Sequence, residues 1–330
     1  MGLHLLQPGL LTTVQDLGRF GHQAAGFSVS GPMDPDAFRI ANLLVNNPPE
    51  LAGLEMAYLG ATVVFDRKTY FALTGADMAS TLNGAPVPRY RAVEVKAGDR
   101  LVCGAAQNGR YAYLAVAGGI DVPLVMGSRS TNLKCGLGGF QGRKLAYGDE
   151  LPLSVTGTFL DNHYRKHLPP PIYGSPIELR VVPGPQDHLF SQQALDQFTA
   201  GIYTMLPDSD RMGVRLSGPA VTAEQGVDII SDATVFGAIQ VPASGQPIVL
   251  MADRQTTGGY AKLGAVITPD LPLLAQCSAG AEIRFRFITP PRPTACTVSM
   301  KNICGNWPAK PGSARKNGKR SAVSWTSPHK

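Results

Sequence analysis

Short apolar or alternating stretches, each closed off by Gly, Pro, Asn or Asp, constrain this chain more than any other feature. They occupy residues 61–65, 70–74, 92–96, 111–117, 178–182, 247–252 and 282–288, and all have the length of a strand. Valine, tyrosine and phenylalanine recur in them, and such side chains fit a pleated, half-buried surface. In the last stretch Arg284 and Arg286 alternate with Ile283, Phe285 and Phe287, the pattern of a strand with one wet face. Helical periodicity is confined to two places. Residues 35–46 follow Asp34, a good N-cap, and Pro35 suits a first helical position. Residues 187–200 repeat apolar side chains at helical spacing. The expectation is a mainly β protein with a few short helices.

Two echoes suggest that the chain is built twice. Ala97-Gly98-Asp99, Tyr147-Gly148-Asp149 and Ala279-Gly280-Ala281 each read as a turn that delivers the chain into a strand. Residues 4–16 and 178–187 each run as a strand, a Pro-Gly turn and Gln-Asp. The Pro-rich segment 168–174 makes a linker between two related β-rich domains, residues 1–167 and 175–290. A length of 330 residues suits two cores better than one.

Charge separates a third region. The formal net charge is +6, but residues 301–330 hold 7 of the 30 Lys and Arg and none of the 24 Asp and Glu. What precedes them is nearly neutral, which excludes attraction to phosphate as its theme, so no nucleic-acid partner is expected. Residues 291–330 lack apolar periodicity and read as a basic disordered tail. The 5 cysteines are widely spaced, without a CxxC or zinc spacing, and are expected to be reduced thiols in a cytoplasmic protein with no metal site. No run of about 18 apolar residues predicts a membrane span. The N-terminal residues do not have the form of a signal peptide.

Three segments carry more polar groups and glycines than strands need. Residues 12–34 contain Gln15, Asp16, Arg19 and Asp34 among four glycines. Residues 117–143 contain Arg129, Ser130, Thr131 and Arg143 between glycine pairs. This second segment reads equally as an anion cradle and as ordinary barrel turns, and it holds no GxxxxGK[ST]. Residues 253–260, Asp-Arg-Gln-Thr-Thr-Gly-Gly-Tyr, follow an apolar strand and present side chains at its rim, where Gln240 can join them. None of the 6 histidines sits in a GxSxG or HExxH context.

Together, residues 10–34, 41–47 (ANLLVNN), 115–143, 211–216 (RMGVRL) and 239–260 resemble the biotin-dependent carboxyltransferase family. That family is also known as allophanate hydrolase subunit 2, or KipA/PxpC. The resemblance runs in order over about residues 1–290 and stops before the basic tail. It implies two cyclophilin-like β-barrel domains in tandem. It implies the C component of an ATP-dependent 5-oxoprolinase, which opens the 5-oxoproline lactam to glutamate with a KipI-like B component and a LamB/YcsF-like A component. ATP, with Mg, would be held mainly by a partner protein, and no biotin is expected on this chain. Two other readings accompany it: a carboxyltransferase acting on urea or a related amide with a biotin-carrying partner, and a non-catalytic KipA-type regulator that binds a KipI-like kinase inhibitor. Within the resemblance, residue type assigns catalysis to Asp253, Arg129 and Thr256. Substrate binding falls to Gln15, Asp16, Arg19, Asp34, Asn42, Ser130, Thr131, Arg143, Arg211, Gln240, Gln255 and Tyr260.

Overall fold

All seven apolar stretches form strands. The computed structural model describes residues 2–154, 166–223 and 226–289, and the expected basic tail 291–330 lies outside them. The chain begins with β1 (Gly2–Gln7), β2 (Leu11–Gln15), α1 (Pro35–Leu44), β3 (Gly53–Ala57), β4 (Thr62–Phe65) and β5 (Thr69–Asp77). The short β6 (Thr81–Leu82) and β7 (Ala85–Pro86) lead to β8 (Ala92–Val95), β9 (Arg100–Val102), β10 (Asn108–Val116) and β11 (Glu150–Pro152). The second half holds β12 (Ile177–Pro183), α2 (Gln192–Ala200), β13 (Tyr203–Met205), β14 (Gly213–Ser217) and β15 (Asp228–Ala233). It ends with β16 (Ala238–Gln240), β17 (Ile248–Leu250), β18 (Thr257–Tyr260), β19 (Lys262–Val266), α3 (Leu271–Ala275) and β20 (Glu282–Phe287).

In the first half the strands form two sheets, ordered β11-β1-β4-β9-β6-β7 and β2-β3-β10-β5-β8. Alternate side chains of both sheets meet in one core, with Leu3, Val63, Phe65 and Leu101 from the first and Val14, Leu54, Phe71 and Leu114 from the second. Phe65 and Phe71 stack across it with centroids 5.4 Å apart. Burial of this apolar area is the main stabilising term. In the second half seven strands close a barrel in the order β12-β19-β16-β17-β14-β13-β20. The closing pair, β12 with β20, is parallel, and Leu179 lies opposite Phe285. Helix α2 packs on the barrel: Phe198 stacks on Phe285 at 4.6 Å and contacts Tyr203.

Local sequence explains the helix boundaries. The Asp34 carboxylate accepts from the Ala37 amide at 2.9 Å, so α1 starts at Pro35. The stretch 187–200 is not one helix. A single 3-10 turn at Asp187–Leu189 ends in extended Phe190, and Ser191 then caps α2 by accepting from the Ala194 amide. The serine offers a better start than continuing through Phe190.

The three echoed turns share one backbone solution. Gly98, Gly148 and Gly280 have φ of +87°, +83° and +87°, and strands β9, β11 and β20 begin within two residues of them. That region is closed to most L-residues, which is why glycine recurs there. Gly9 and Gly184, the glycines of the other echo, both press against a neighbouring backbone, at Leu59 and Lys262. After them the halves diverge, because Gln15 ends a strand while Gln186 precedes a 3-10 turn.

One departure concerns the polar segment after β17. Only residues 253–256 turn there; Thr257–Tyr260 pair with β15 as an exposed two-stranded ribbon. Thr-Gly-Gly-Tyr has no apolar alternation to reveal a strand. Among the described residues no helix is long and apolar enough to cross a membrane.

Candidate active site

The polar segments singled out from the sequence assemble into three groups with different characters. The first is a tie within the first half. The Asp16 carboxylate accepts from the Gly18 amide at 2.9 Å and from the hydroxyls of Ser128 and Ser130, each at 2.6 Å. Its other oxygen accepts from the Arg129 amide. Asp16 thereby fastens residues 128–130 to the end of β2. Gln15 donates to the Thr131 carbonyl at 3.2 Å, and Thr131 donates from Oγ1 to the Val14 carbonyl at 2.8 Å. Arg19, 1 % exposed, donates to the carbonyls of Val125 and Ser130.

The glycine-rich turns behind this tie face their own loop. The Gly139 and Gly142 amides donate to the carbonyls of Arg129 and Gly138. The space a side chain would take at Gly138 or Gly139 is filled by Ser130 and Thr131. The Leu137 and Arg143 amides are likewise engaged within the loop, by the carbonyls of Asn132 and Phe140.

The second group joins the two halves. Arg211 donates from Nε to Asp253 at 2.8 Å, from Nη2 to Asp253 at 3.1 Å and to the Gly31 carbonyl at 2.7 Å, and from Nη1 to Glu55. Glu55 also accepts from the Met33 amide at 2.8 Å and the Tyr113 hydroxyl at 2.9 Å. The Tyr113 oxygen in turn accepts from the Asp34 amide at 2.8 Å. Gln276, just after α3, donates to Asp34 at 2.9 Å and to the Tyr111 carbonyl, while its oxygen accepts from the amides of Arg110 and Tyr111. A continuous polar chain thus runs from Gln276 through Asp34, Tyr113, Glu55 and Arg211 to Asp253, with every member buried.

Burial shapes its ionisation. It pushes the Asp34 carboxyl up to about 6, against the pull of the Ala37 amide and Gln276. Burial also pushes Glu55 upward, opposed by Arg211 and by the Met33 and Tyr113 donors. For Arg211 burial works against the charge, but Asp253 and Glu55 outweigh it and hold the guanidinium protonated. Asp253 is engaged by Arg211 in a buried ion pair in this arrangement.

The third group surrounds an open cavity of about 310 Å³ on the barrel. Met212, Pro242, Ile248 and Leu250 give it apolar walls, and Gln240, Gln255 and Tyr260 bring polar atoms. Asp210 and Arg215 stand at its exposed rim. Gln255 donates from Nε2 to Gln240 Oε1 at 3.1 Å. The Gln240 Nε2 is buried and has no hydrogen-bond partner among the described residues. An orphaned buried donor costs about 1–3 kcal/mol, and this one packs against Gly258. Lys134, from the first half, reaches this barrel with Nζ 3.9 Å from Met212 Sδ.

The remaining predicted residues stand apart. Arg129 clamps its own loop, donating to the Val122 carbonyl at 2.7 Å and pairing with Asp121 at 2.9 Å. Arg143 makes a two-pronged pair with Asp149 and lies over the Phe140 ring. Asn42, 0 % exposed, ties α1 to the Leu51 carbonyl. The side chain of Thr256 is half-buried, and its carbonyl accepts from the Thr234 amide at 3.0 Å. Reading the sequence missed Glu55, Tyr113, Gln276 and Lys134. A lone acid in the apolar run Leu54-Glu55-Met56 was the available signal for the first of them.

Comparison with known proteins places this geometry among relatives. The model of the carboxyltransferase domain, subdomain A and B, matches residues 25–287. The chain is 41% identical to the 5-oxoprolinase C component of Escherichia coli over 86% of its length and 90% of that protein's. It is 38% identical to the Haemophilus influenzae protein of that name, covering 84% of this chain and 88% of that one. A putative urea carboxylase of Emericella nidulans is 34% identical over 86% of this chain, but over only 24% of its own. Among solved structures, TTHA0988 superposes with a TM-score of 0.78 at 35% identity, covering 86% of this chain and 55% of that one. The Kluyveromyces lactis urea carboxylase superposes with a TM-score of 0.81 at 32% identity, covering 87% of this chain and 27% of that one.

Proposed function

The chain belongs to the carboxyltransferase domain family, subdomain A and B, and on that premise we propose that it is the C component of an ATP-dependent 5-oxoprolinase complex. The observation that carries this reading is coverage. The match to the E. coli 5-oxoprolinase component runs over 90% of that protein, whereas the urea carboxylase match runs over 24% of its own. Working within a complex also suits a cavity open to solvent. The partners in this reading are a KipI-like protein and a LamB/YcsF-like protein, in the cytoplasm.

The chemistry asks for activation, because a lactam amide is too stable to open quickly unaided. ATP bound in the complex would supply that activation: transfer of its γ-phosphoryl group to the lactam oxygen, with ADP leaving, makes the lactam carbon a better centre for attack by water, and phosphate then leaves. In this reading the nucleotide, with Mg, is assigned mainly to a partner. What this chain contributes is binding and orientation. Gln240, Gln255 and Tyr260 face the cavity. The ion pair of Arg211 with Asp253 fixes the turn that carries Gln255, making those two positioning residues. Residues 1–167 and 175–290 act as two domains in the same reading, with the cavity on the second.

Co-expression with the genes for the two partners, followed by an assay of glutamate release from 5-oxoproline, tests the proposal. Glutamate release that requires both ATP and this chain is expected. Release that persists when the chain is omitted, or turnover of urea that is sensitive to avidin, would replace it with the regulator or the carboxyltransferase reading.

A further inference from the structure

Strand β10 carries a buried cation that meets no anion. Arg110 is 3 % exposed and pairs with no carboxylate among the described residues. Its Nη2 donates to the Ser209 carbonyl at 2.7 Å, and its Nε is buried without a hydrogen-bond partner. The guanidinium otherwise meets aromatic rings, Tyr58 at 4.7 Å and Tyr111 at 5.2 Å. Arg211, also buried, is by contrast neutralised by Glu55 and Asp253. A charge left unneutralised in a low-dielectric setting is weakly screened, so the positive potential of Arg110 reaches the surface nearby.

That surface is apolar and firmly held. Tyr111 is buried, whereas Tyr58 is 38 % exposed. The Leu59 amide donates to the Ala57 carbonyl at 2.7 Å, closing a three-residue turn about Tyr58 at φ +62°. A large side chain seldom occupies that region. Two bonds pin it there: the Tyr58 amide donates to the Arg110 carbonyl, and the Ala106 amide donates to the Tyr58 carbonyl. Beside Tyr58, the exposed Leu59 accepts from the amide of the exposed Leu10, and it bridges to Ala105, exposed as well. An aromatic ring on an arginine, framed by aliphatic side chains, has the make-up of the energetic centre of a protein interface. A small free carboxylate would have no use for the aliphatic frame. A second copy does not complete the patch either, because a twofold contact sets it against itself and Leu10, Tyr58, Leu59 and Ala105 bring no acid.

We infer that the patch of Leu10, Tyr58 and Leu59 docks a partner protein that brings an acidic side chain, framed by apolar ones, into the field of Arg110. Who the partner is rests on the complex proposed above; what is added is the face of this chain that receives it and the charge it selects.

The test is calorimetric titration of the full chain with the KipI-like and the LamB/YcsF-like proteins, each purified alone. One of them binds wild type, and more weakly as salt is raised. Leu59→Glu weakens that binding about a hundredfold, because it sets like charge against the incoming carboxylate, whereas Leu59→Lys weakens it by less than about tenfold. Tyr58→Gly suits the positive φ, so it removes the ring without straining the turn, and it weakens binding about thirtyfold. These substitutions leave Arg110 in place, so folding is not at stake in them. Equal losses in Leu59→Glu and Leu59→Lys, or wild-type affinity in all three variants, overturn the assignment while the complex stands. Wild type that binds neither protein defeats the complex reading and the docking face together. A wild-type chain that sediments alone as a dimer, dispersed by Leu59→Glu, gives the patch to a second copy and overturns the partner.

Discussion

Truncating Arg211 to alanine leaves the Glu55 and Asp253 carboxylates buried without their cation. Breaking one partner of a buried ion pair costs about 3–5 kcal/mol, far more than an exposed pair is worth. Denaturant unfolding of Arg211→Ala is expected to show that loss. The triple variant Glu55→Gln, Arg211→Met, Asp253→Asn recovers most of it, because no charge is then left unpaired. Asp34 makes a prediction in pH. Its folded pKa, about 6, lies above the ordinary carboxylate value, so the folded state binds the extra proton. Its contribution to stability is fullest near pH 4 and falls as pH rises through 6. Wild type should therefore lose stability relative to Asp34→Asn between those values, by an amount of the order of 2 kcal/mol. Parallel melting curves across that window that never diverge would show that burial does not hold the proton. Neither effect was legible in sequence. Glu55, Tyr113 and Gln276 lie 58 and more residues apart and mean nothing until the fold brings them together.

At the scale of elements the sequence was more informative, because strands and turns are local events. Apolar alternation located β4, β5, β8, β10, β12, β17 and β20. The ribbon of β15 and β18 escaped notice, since its residues face solvent and owe their pairing to each other rather than to a core. The echoed glycine turns carry the prediction at this scale. A side chain at Gly98, Gly148 or Gly280 meets nothing within 4 Å, so only backbone strain opposes it. Alanine at any one of them should cost about 1–2 kcal/mol, and asparagine, which tolerates the left-handed region, less. Equal costs for the two substitutions would mean that packing, not φ, governs the turn. The candidate site was legible in part for the same reason. Gln240, Gln255 and Tyr260 sit within one stretch of chain.

Over the whole molecule, the polar chain from Gln276 to Asp253 makes the two halves depend on each other. Residues through Ile288 form one compact unit. A single unfolding transition is expected, followed by near-ultraviolet dichroism of the tyrosines, since both tryptophans lie beyond residue 290. Gln276→Leu strands four backbone and side-chain partners and should cost about 2–4 kcal/mol. Loss of Gln276 without change in the midpoint would mean that the halves fold independently.

The parallel seam between β12 and β20 sets an order of events. Every other neighbour in that barrel pairs antiparallel. The seam joins residues more than a hundred positions apart, Ile177 with Ile283, so loop-closure entropy delays it until the rest is in place. Until β20 arrives, β12 and β13 each present a bare row of backbone donors and acceptors, and Phe198 lacks the ring it stacks on. A nascent or clipped chain ending before residue 282 is thus an open sheet with two adhesive edges, and self-association is its natural fate.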